Sequence, residues 1–221
     1  MSVGPHVFGV NSPEWADMSN YVVHFTKDDG QSPYMNQMGI LSRQIIEARN
    51  PFGIARHSAP VGASQRAVCF SEVPLHQLSR LAEVRSRYGI GFRKDFLVQA
   101  GGNPILYAYR DQGLVNAIRS LMTLAAGNAQ SPIWRVTPFV DAPGTYQHSS
   151  YFFEWEREWR TLGDLSFTTS DVAFLIIPED LHEAARAFFE EARQDNTGPC
   201  YECPFIDPNW DQDQVAEVIP H

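Results

Sequence analysis

The chain has 221 residues, of which 43% are hydrophobic and 19% are charged, which is typical of one large folded domain and excludes a mostly disordered chain. The net charge of −9 belongs to the C-terminal fifth, because residues 179–221 carry eleven acidic and two basic side chains, whereas residues 1–178 carry fifteen of each sign. The acidic pI therefore says little about whether the main body can bind an anion.

The sequence contains no sign of membrane insertion or export. No apolar run approaches the roughly 20 residues that cross a bilayer, and the first residues lack the basic and apolar parts of a signal peptide. Three cysteines, an odd number, fit a reducing compartment better than a disulfide framework. We expect a cytoplasmic protein with no membrane partner and a single domain over residues 1–221, with a core at 20–193 and an acidic, irregular segment at 194–221.

In the first half of the chain, two β-branched and aromatic runs predict buried strands at residues 21–26 and 67–71. Between them, the apolar side chains of Leu41, Ile45 and Ala48 share one helical face. The loop-like composition of the residues that follow predicts an irregular connection.

In the second half, Pro74 can open a helix that ends at Gly89. Further apolar stripes predict helices at 114–122 and 181–192, and the run 172–177 predicts the clearest strand of the chain. Strands and helices are mixed without strict alternation, which favours an α+β fold over a doubly wound parallel sheet.

The run 152–160, if it is a strand, sorts its side chains onto two faces. One face carries the charged side chains Glu154, Glu156, Glu158 and Arg160. The other is mostly aromatic and can pack into a core. Neighbouring carboxylates repel each other unless water or a cation compensates them. Two alternatives follow: a solvated sheet face, or a cleft in which Arg160 or another cation orients one carboxylate.

Three smaller features could carry chemistry. His24 lies inside an apolar strand, where a histidine is either a hydrogen-bonded core residue or a catalyst. Thr26 and Ser71 lie at the ends of two strands, a usual position for ligand contacts. Cys200 and Cys203 have the spacing of half a zinc site, but no second pair completes it.

Three segments together resemble a known family. They are Val23–Thr26, Val68–Leu75 and Glu156–Arg160, and their order resembles the AbiGi-type abortive-infection (phage resistance) proteins of bacteria and, more loosely, the DarT-like ADP-ribosyltransferases. The resemblance covers roughly residues 20–180. It implies an ADP-ribosyltransferase-like split β-sheet core with flanking helices, and a toxin that uses NAD as its substrate.

The resemblance also implies the roles of single residues. The catalytic residues would be Glu158, His24 and Ser71, with Glu158 stabilising the positive charge that develops on the ribose as nicotinamide leaves. No metal is required, and ADP-ribose would pass to a protein or nucleic acid acceptor. The family pattern has a tyrosine where this chain has Phe70 or Ser71. The residues implied for NAD binding are His24, Phe25, Thr26, Phe70, Ser71, Arg43 and Arg66.

Other functions remain open at this level. The same fold could serve as a non-enzymatic interaction module, for example an antitoxin-like partner or a phage sensor. The acidic face at 154–158 together with His24 could form a metal-dependent nuclease. The basic stretch at 80–94 is either a solvated helix face or a phosphate contact, and the acidic tail could shield such an anion site.

Overall fold

The computed structural model of the chain describes residues 19–110, 112–146 and 149–219. Within these ranges the helices are α1 (Pro33–Arg43), α2 (Leu78–Val84), α3 (Lys94–Gln99), α4 (Gly113–Ala125), α5 (Ile133–Val136), α6 (His182–Gln194) and α7 (Gln212–Val218). The strands are β1 (Tyr21–Phe25), β2 (Ile45–Ile46), β3 (Ala67–Ser71), β4 (Gly89–Arg93), β5 (Asn103–Pro104), β6 (Leu106–Tyr107), β7 (Val140–Asp141), β8 (Gly144–Tyr146), β9 (Ser149–Tyr151), β10 (Glu158–Leu162), β11 (Leu165–Ser166), β12 (Val172–Ile176) and β13 (Phe205–Ile206). The prediction of a mixed α and β fold is confirmed.

The chain divides into two compact units. Among the described residues, the first comprises 19–45, 70–99 and 166–219, and the second comprises 46–69, 100–110, 112–146 and 149–165. No helix in the described part of the chain is both long and apolar enough to cross a membrane. The single domain predicted over 1–221 stays a prediction.

The first unit is organised by a mixed sheet in which β13, β12, β4 and β1 follow one another. β4 pairs antiparallel with β1 on one side and with β12 on the other, and β13 adds to β12 in parallel. Val23 of β1 also pairs with Ser71 at the end of β3. The fully buried Gln37 of α1 donates from its amide nitrogen to the carbonyl oxygens of Gly89 (2.8 Å) and Ile176 (3.1 Å), which fixes α1 to the ends of β4 and β12.

The second unit is built from short strands around α4. β10 pairs antiparallel with β5, β6 pairs in parallel with β7, and β8 and β9 form a hairpin. Val115 and Ile118 of α4 pack against Ala108 and Val140 in one buried cluster. A second cluster joins Ala125, at the end of α4, to Trp134.

Several sequence predictions of single elements are wrong. The helix expected through Ile45 and Ala48 ends at Arg43, because Gln44 adopts a left-handed conformation (φ 54°) and the chain turns into β2. Gly89 does not end a helix but begins β4. The acidic segment 194–221 is not wholly irregular, since it supplies β13 and α7. Phe205 of that segment is buried.

Gly91 of β4 is a position where only glycine fits. A Cβ built there would lie 2.3 Å from ring carbons of Phe174, which is itself fully buried. We expect Gly91→Ala to lower the free energy of unfolding by about 1–3 kcal/mol, because the core must rearrange around the added methyl group. Urea unfolding of the purified chain measures the effect.

Gly39→Ala is the matched control for that substitution. Gly39 lies inside α1, and a Cβ there would meet nothing within 4 Å. Alanine is the better helix former by up to about 1 kcal/mol, so this variant should be as stable as the wild type or more so. If Gly91→Ala and Gly39→Ala were equally stable, the steric explanation for the glycine at position 91 would be contradicted.

Candidate functional site

The first unit contains six of the seven residues that the resemblance implies for NAD binding. His24 is half-buried on β1, and its ring lies 5.8 Å from the ring of Phe70. Phe70 is 1% exposed and meets Phe92 edge-on, and Phe25 is also buried. These two phenylalanines are therefore part of the hydrophobic core, while His24 lies at its margin.

The polar residues at the two strand ends are buried as well. The hydroxyl of Thr26 donates to the carbonyl oxygens of Pro33 (2.8 Å) and Tyr88 (3.2 Å). Ser71 is buried and lies opposite Val23 in the sheet. The Thr26 hydroxyl thus ties the end of β1 to neighbouring loops.

The two predicted phosphate contacts lie on the surface. Arg43 is exposed in the last turn of α1, where its Nε donates to the carbonyl oxygen of Gly39 (3.1 Å). Arg66 is exposed and belongs to the second unit, as does Glu158. The roles of all these residues in NAD binding and catalysis stay predictions.

The second unit contains a buried ionic network centred on Arg160. Its guanidinium is 1% exposed and donates through Nε to Glu158 Oε1 (2.7 Å) and through the two terminal nitrogens to Asp141 Oδ2 (2.5 Å) and the carbonyl oxygen of Pro138 (2.6 Å). The face of the Phe52 ring lies 5.0 Å from the guanidinium carbon. Of the two alternatives for this run, the pairing of Arg160 with one carboxylate is thus observed, at Glu158.

The network changes the proton affinity of its members. Burial by itself would lower the pKa of Arg160, but Glu158, Cys69 and Asp141 outweigh it and raise the pKa. Burial, followed by the charge of Glu158, raises the pKa of the Cys69 thiol well above its usual value. A thiol held protonated in this way is a poor nucleophile, so Cys69 acts as a hydrogen-bonding neighbour of the network.

Two tyrosines border the same network. The hydroxyl of Tyr151 donates to Asp141 Oδ2 (3.1 Å), and burial and the charge of Asp141 raise its pKa. The hydroxyl of Tyr107 accepts from the backbone N–H of Glu158 (3.2 Å), and burial raises its pKa to about 12. Sequence reasoning missed Asp141, Tyr151 and Tyr107. No local sequence pattern connects Asp141 with Arg160.

The predicted acidic strand face does not form. Glu154–Glu156 is a turn of 3-10 helix, and Arg157 follows in a left-handed conformation (φ 45°), so β10 begins only at Glu158. Glu156 is buried, and Glu154 accepts a hydrogen bond from Tyr109 (2.8 Å). The three carboxylates are thus not aligned, and the face on which the nuclease alternative depended is not formed.

Several cationic side chains of the basic stretch 80–94 form ion pairs with carboxylates. Lys94 is buried with its Nζ 2.5 Å from Glu72 Oε1. Arg87 pairs with Asp207 at 3.1 Å, and Arg93 pairs with Asp95. Asp207 belongs to the acidic tail, which therefore supplies an ion-pair partner to this stretch within the first unit.

Two open clefts lie in the first unit, and neither includes a residue predicted for NAD binding. One, of about 210 Å³, lies between α1 and α6 and is lined by Leu41, Phe188 and Phe189 among others. The other, of about 550 Å³, is bordered by Arg186 and Trp210. In the described part of the chain, no group of three or more His, Cys, Asp and Glu side chains is arranged to hold a metal ion, and Cys200 and Cys203 are free thiols.

A comparison with models of known protein families gives a match. A family model described, provisionally, as abortive phage resistance protein AbiGi, antitoxin, matches residues 38–196. No curated protein and no solved structure matches the chain significantly. The matched range is well over half of the 221 residues, and it includes the Arg160 network and all of α4.

Proposed function

We propose, from the premise that this chain belongs to the AbiGi family of abortive phage resistance proteins, that it is an antitoxin-like component of a bacterial phage-defence system. Its task is to bind a toxic partner protein and hold it inactive, without catalysing a reaction. The observation that carries this proposal is the family match, whose description names an antitoxin.

The geometry of the second unit supports a structural rather than a catalytic role for Glu158. Its side chain is 14% exposed, and its carboxylate already bonds Arg160. A carboxylate whose charge is balanced by a buried guanidinium has less charge to offer an oxocarbenium-like transition state. The same pairing instead holds β10 to the segment around Asp141.

A second candidate is the NAD-dependent ADP-ribosyltransferase toxin, which would transfer ADP-ribose to a macromolecular acceptor. The observation that favours it is the oriented and partly accessible carboxylate of Glu158 at the start of β10. In that function Glu158 would bind the nicotinamide ribose and His24 the adenosine side of NAD. The cognate partner would then be an antitoxin that restrains this chain.

Co-expression in bacteria separates the two functions. The chain is produced alone and together with the protein encoded beside it in the source genome, while growth and cellular NAD are measured. We expect that the chain alone is harmless, that it restores growth against the neighbouring protein, and that NAD does not fall. Toxicity of the chain alone, with loss of NAD, would contradict the antitoxin-like function.

Two point variants sharpen the comparison. We expect Glu158→Gln and His24→Ala to restore growth within about twofold of the wild type. If the chain were an ADP-ribosyltransferase, Glu158→Gln should lower NAD cleavage on the order of 100-fold, the loss typical of removing one electrostatic stabiliser. His24→Ala lies outside the Arg160 network, so it tests the enzyme hypothesis without disturbing that network. Thermal unfolding confirms that both variants are folded.

A further inference from the structure

An open cleft of the first unit combines aromatic side chains with carboxylates. It has a volume of about 550 Å³ and is lined by residues of α6, of the segment around β13 and of α7. The ring of His182 meets the rings of Phe205 (5.7 Å) and Trp210 (5.5 Å) edge-on. Glu183 and Glu202 line the same cleft. We call this site the Trp210 cleft, and its mixed lining favours a ligand that offers charge together with a surface for packing.

The two carboxylates of the Trp210 cleft are available to a ligand. Glu183 and Glu202 are exposed, and within the described part of the chain neither carboxylate accepts a hydrogen bond. Three further carboxylates either bond the cleft's tryptophan or neighbour its lining residues in the chain: Glu179, Asp211 and Glu217. A ligand of this cleft is therefore expected to carry positive charge.

The cleft already holds one guanidinium, which belongs to the chain itself. The guanidinium carbon of Arg186 lies 3.7 Å from the centre of the Phe205 ring. Its terminal nitrogens donate to the carbonyl oxygens of Tyr201 (2.9 Å) and Cys203 (2.9 Å). Arg186 thus shows that the aromatic lining accepts a guanidinium, while its own hydrogen bonds go to backbone oxygens and leave the carboxylates of the cleft to another cation.

The local charge indicates where such a cation comes from. Residues 179–221 carry eleven acidic and two basic side chains. One of the two is Arg186, and the other, Arg193, pairs with Glu190. Residues 1–18 contain no lysine or arginine. Two such acidic surfaces repel each other, and a nucleic acid is itself an anion. A cation for the cleft is therefore expected from a different protein with a basic surface.

We propose that the Trp210 cleft is the docking site for a basic segment of a partner protein, which inserts an arginine side chain into the cleft. Glu183 and Glu202 accept hydrogen bonds from the guanidinium. The ring of Trp210 packs against its plane, as the ring of Phe205 packs against Arg186. Arginine fits better than lysine, because its planar fork of donors both bonds carboxylates and stacks on rings. The proposal rests on the antitoxin-like function, since it assigns the surface that contacts the toxic partner.

Calorimetric binding of the protein encoded beside this chain to wild-type and variant chains tests the proposal. The double variant Glu183→Gln/Glu202→Gln keeps the shape of both side chains and removes their charge. It should weaken binding about 30-fold or more, because charge-assisted hydrogen bonds are lost. Both side chains are exposed, so the melting temperature should stay unchanged.

Glu191→Gln/Asp195→Asn is the matched control. These two carboxylates are also exposed, and they line the other cleft, between α1 and α6. The control changes the net charge by the same amount as the double variant of the Trp210 cleft, and it should bind within threefold of the wild type. Equal weakening by both double variants would show that the overall acidity attracts the partner, and it would overturn the docking site.

A second pair of variants tests the aromatic side chain. Trp210→Leu and Trp210→Phe both lose the hydrogen bond from the indole nitrogen to Glu179 (2.9 Å), but only Trp210→Phe keeps a ring face. Trp210→Leu should weaken binding about fivefold, and Trp210→Phe should bind within twofold of the wild type. Thermal unfolding confirms that both variants are folded. Equal affinities of the two variants would overturn the stacked guanidinium.

The remaining outcomes separate the two proposals. If the wild type and all variants bind equally well, the docking site is overturned and the antitoxin-like function stands. If the wild type does not bind at all, the proposed function fails and the docking site fails with it. Sedimentation of the chain alone should show a monomer, and a dimer that Glu183→Gln/Glu202→Gln dissociates would assign the cleft to a second copy and overturn the proposal. The affinity should fall as salt is raised from roughly 50 to 500 mM, and a salt-independent affinity would overturn the basic partner.

Discussion

Replacing Arg160 with glutamine is expected to lower the free energy of unfolding by about 3–5 kcal/mol, because removing one partner leaves buried charges uncompensated. The guanidinium is 1% exposed and bonds Glu158, Asp141 and the carbonyl oxygen of Pro138 in three directions. The amide of glutamine is neutral and too short to reach all three. Urea unfolding at neutral pH measures the loss.

Two control variants identify the cause of that loss. Arg193 pairs with Glu190 on the surface, with 57% and 46% of the two side chains exposed, so Arg193→Gln should leave the stability almost unchanged, because solvent screens an exposed ion pair. Arg160→Lys keeps the positive charge but loses the planar fork of donors, and it should still be clearly destabilised. If Arg160→Gln and Arg193→Gln were equally stable, the buried network would not be what holds this part of the second unit together.

The strands that the sequence predicts correctly are those with a strong local pattern. β1, β3 and β12 are β-branched and aromatic, and the structure contains all three. β4 was missed because two of its five residues are glycines, which are poor strand formers on local grounds. Its place between β1 and β12 is set by long-range packing, in which Gly91 makes room for the ring of Phe174.

Backbone conformation explains two further errors. Gln44 and Arg157 both adopt positive φ angles, which are uncommon for residues other than glycine. Each of these residues ends one element and redirects the chain into another. Neither glutamine nor arginine is a residue type from which such a turn would be predicted. The regular periodicity read across these positions therefore predicted one long helix and one long strand, where the chain forms shorter segments.

The ionic network was predictable only in part. Glu158 and Arg160 are two residues apart on one strand, so they share a face and their pairing follows from the strand period. Asp141 lies 19 residues before Arg160, and Cys69 lies on β3, so only the folded chain brings them together. The stripe expected on α4 likewise combined the buried Ile118 with the exposed Leu114 and Leu121, because an apolar arc in a sequence does not show how much of it the fold covers.

Raising the pH above about 8.5 is expected to destabilise the protein through two partly buried thiols, those of Cys69 and Cys203. Burial raises the pKa of Cys203 to about 12, with Arg186 opposing the shift, and burial also raises the pKa of Cys69. An unfolded cysteine ionises near pH 8.5. A folded pKa above the unfolded value gives stability that is fully present below about pH 8.5 and is lost as the pH rises towards the folded pKa.

Each such thiol should contribute a slope of about 1.4 kcal/mol per pH unit, so Cys203 alone accounts for about 4 kcal/mol between pH 9 and 12. The pKa values of Tyr107, Tyr151 and Tyr201 are also raised, but an unfolded tyrosine is only about a tenth ionised at pH 9. In the window from pH 8.5 to 9 the thiols therefore dominate the slope. In urea titrations under reducing conditions, Cys203→Ser should roughly halve the slope in this window, whatever its stability at pH 7. If the wild type and Cys203→Ser had the same slope, the pKa of the Cys203 thiol would be no higher in the folded chain than in the unfolded one.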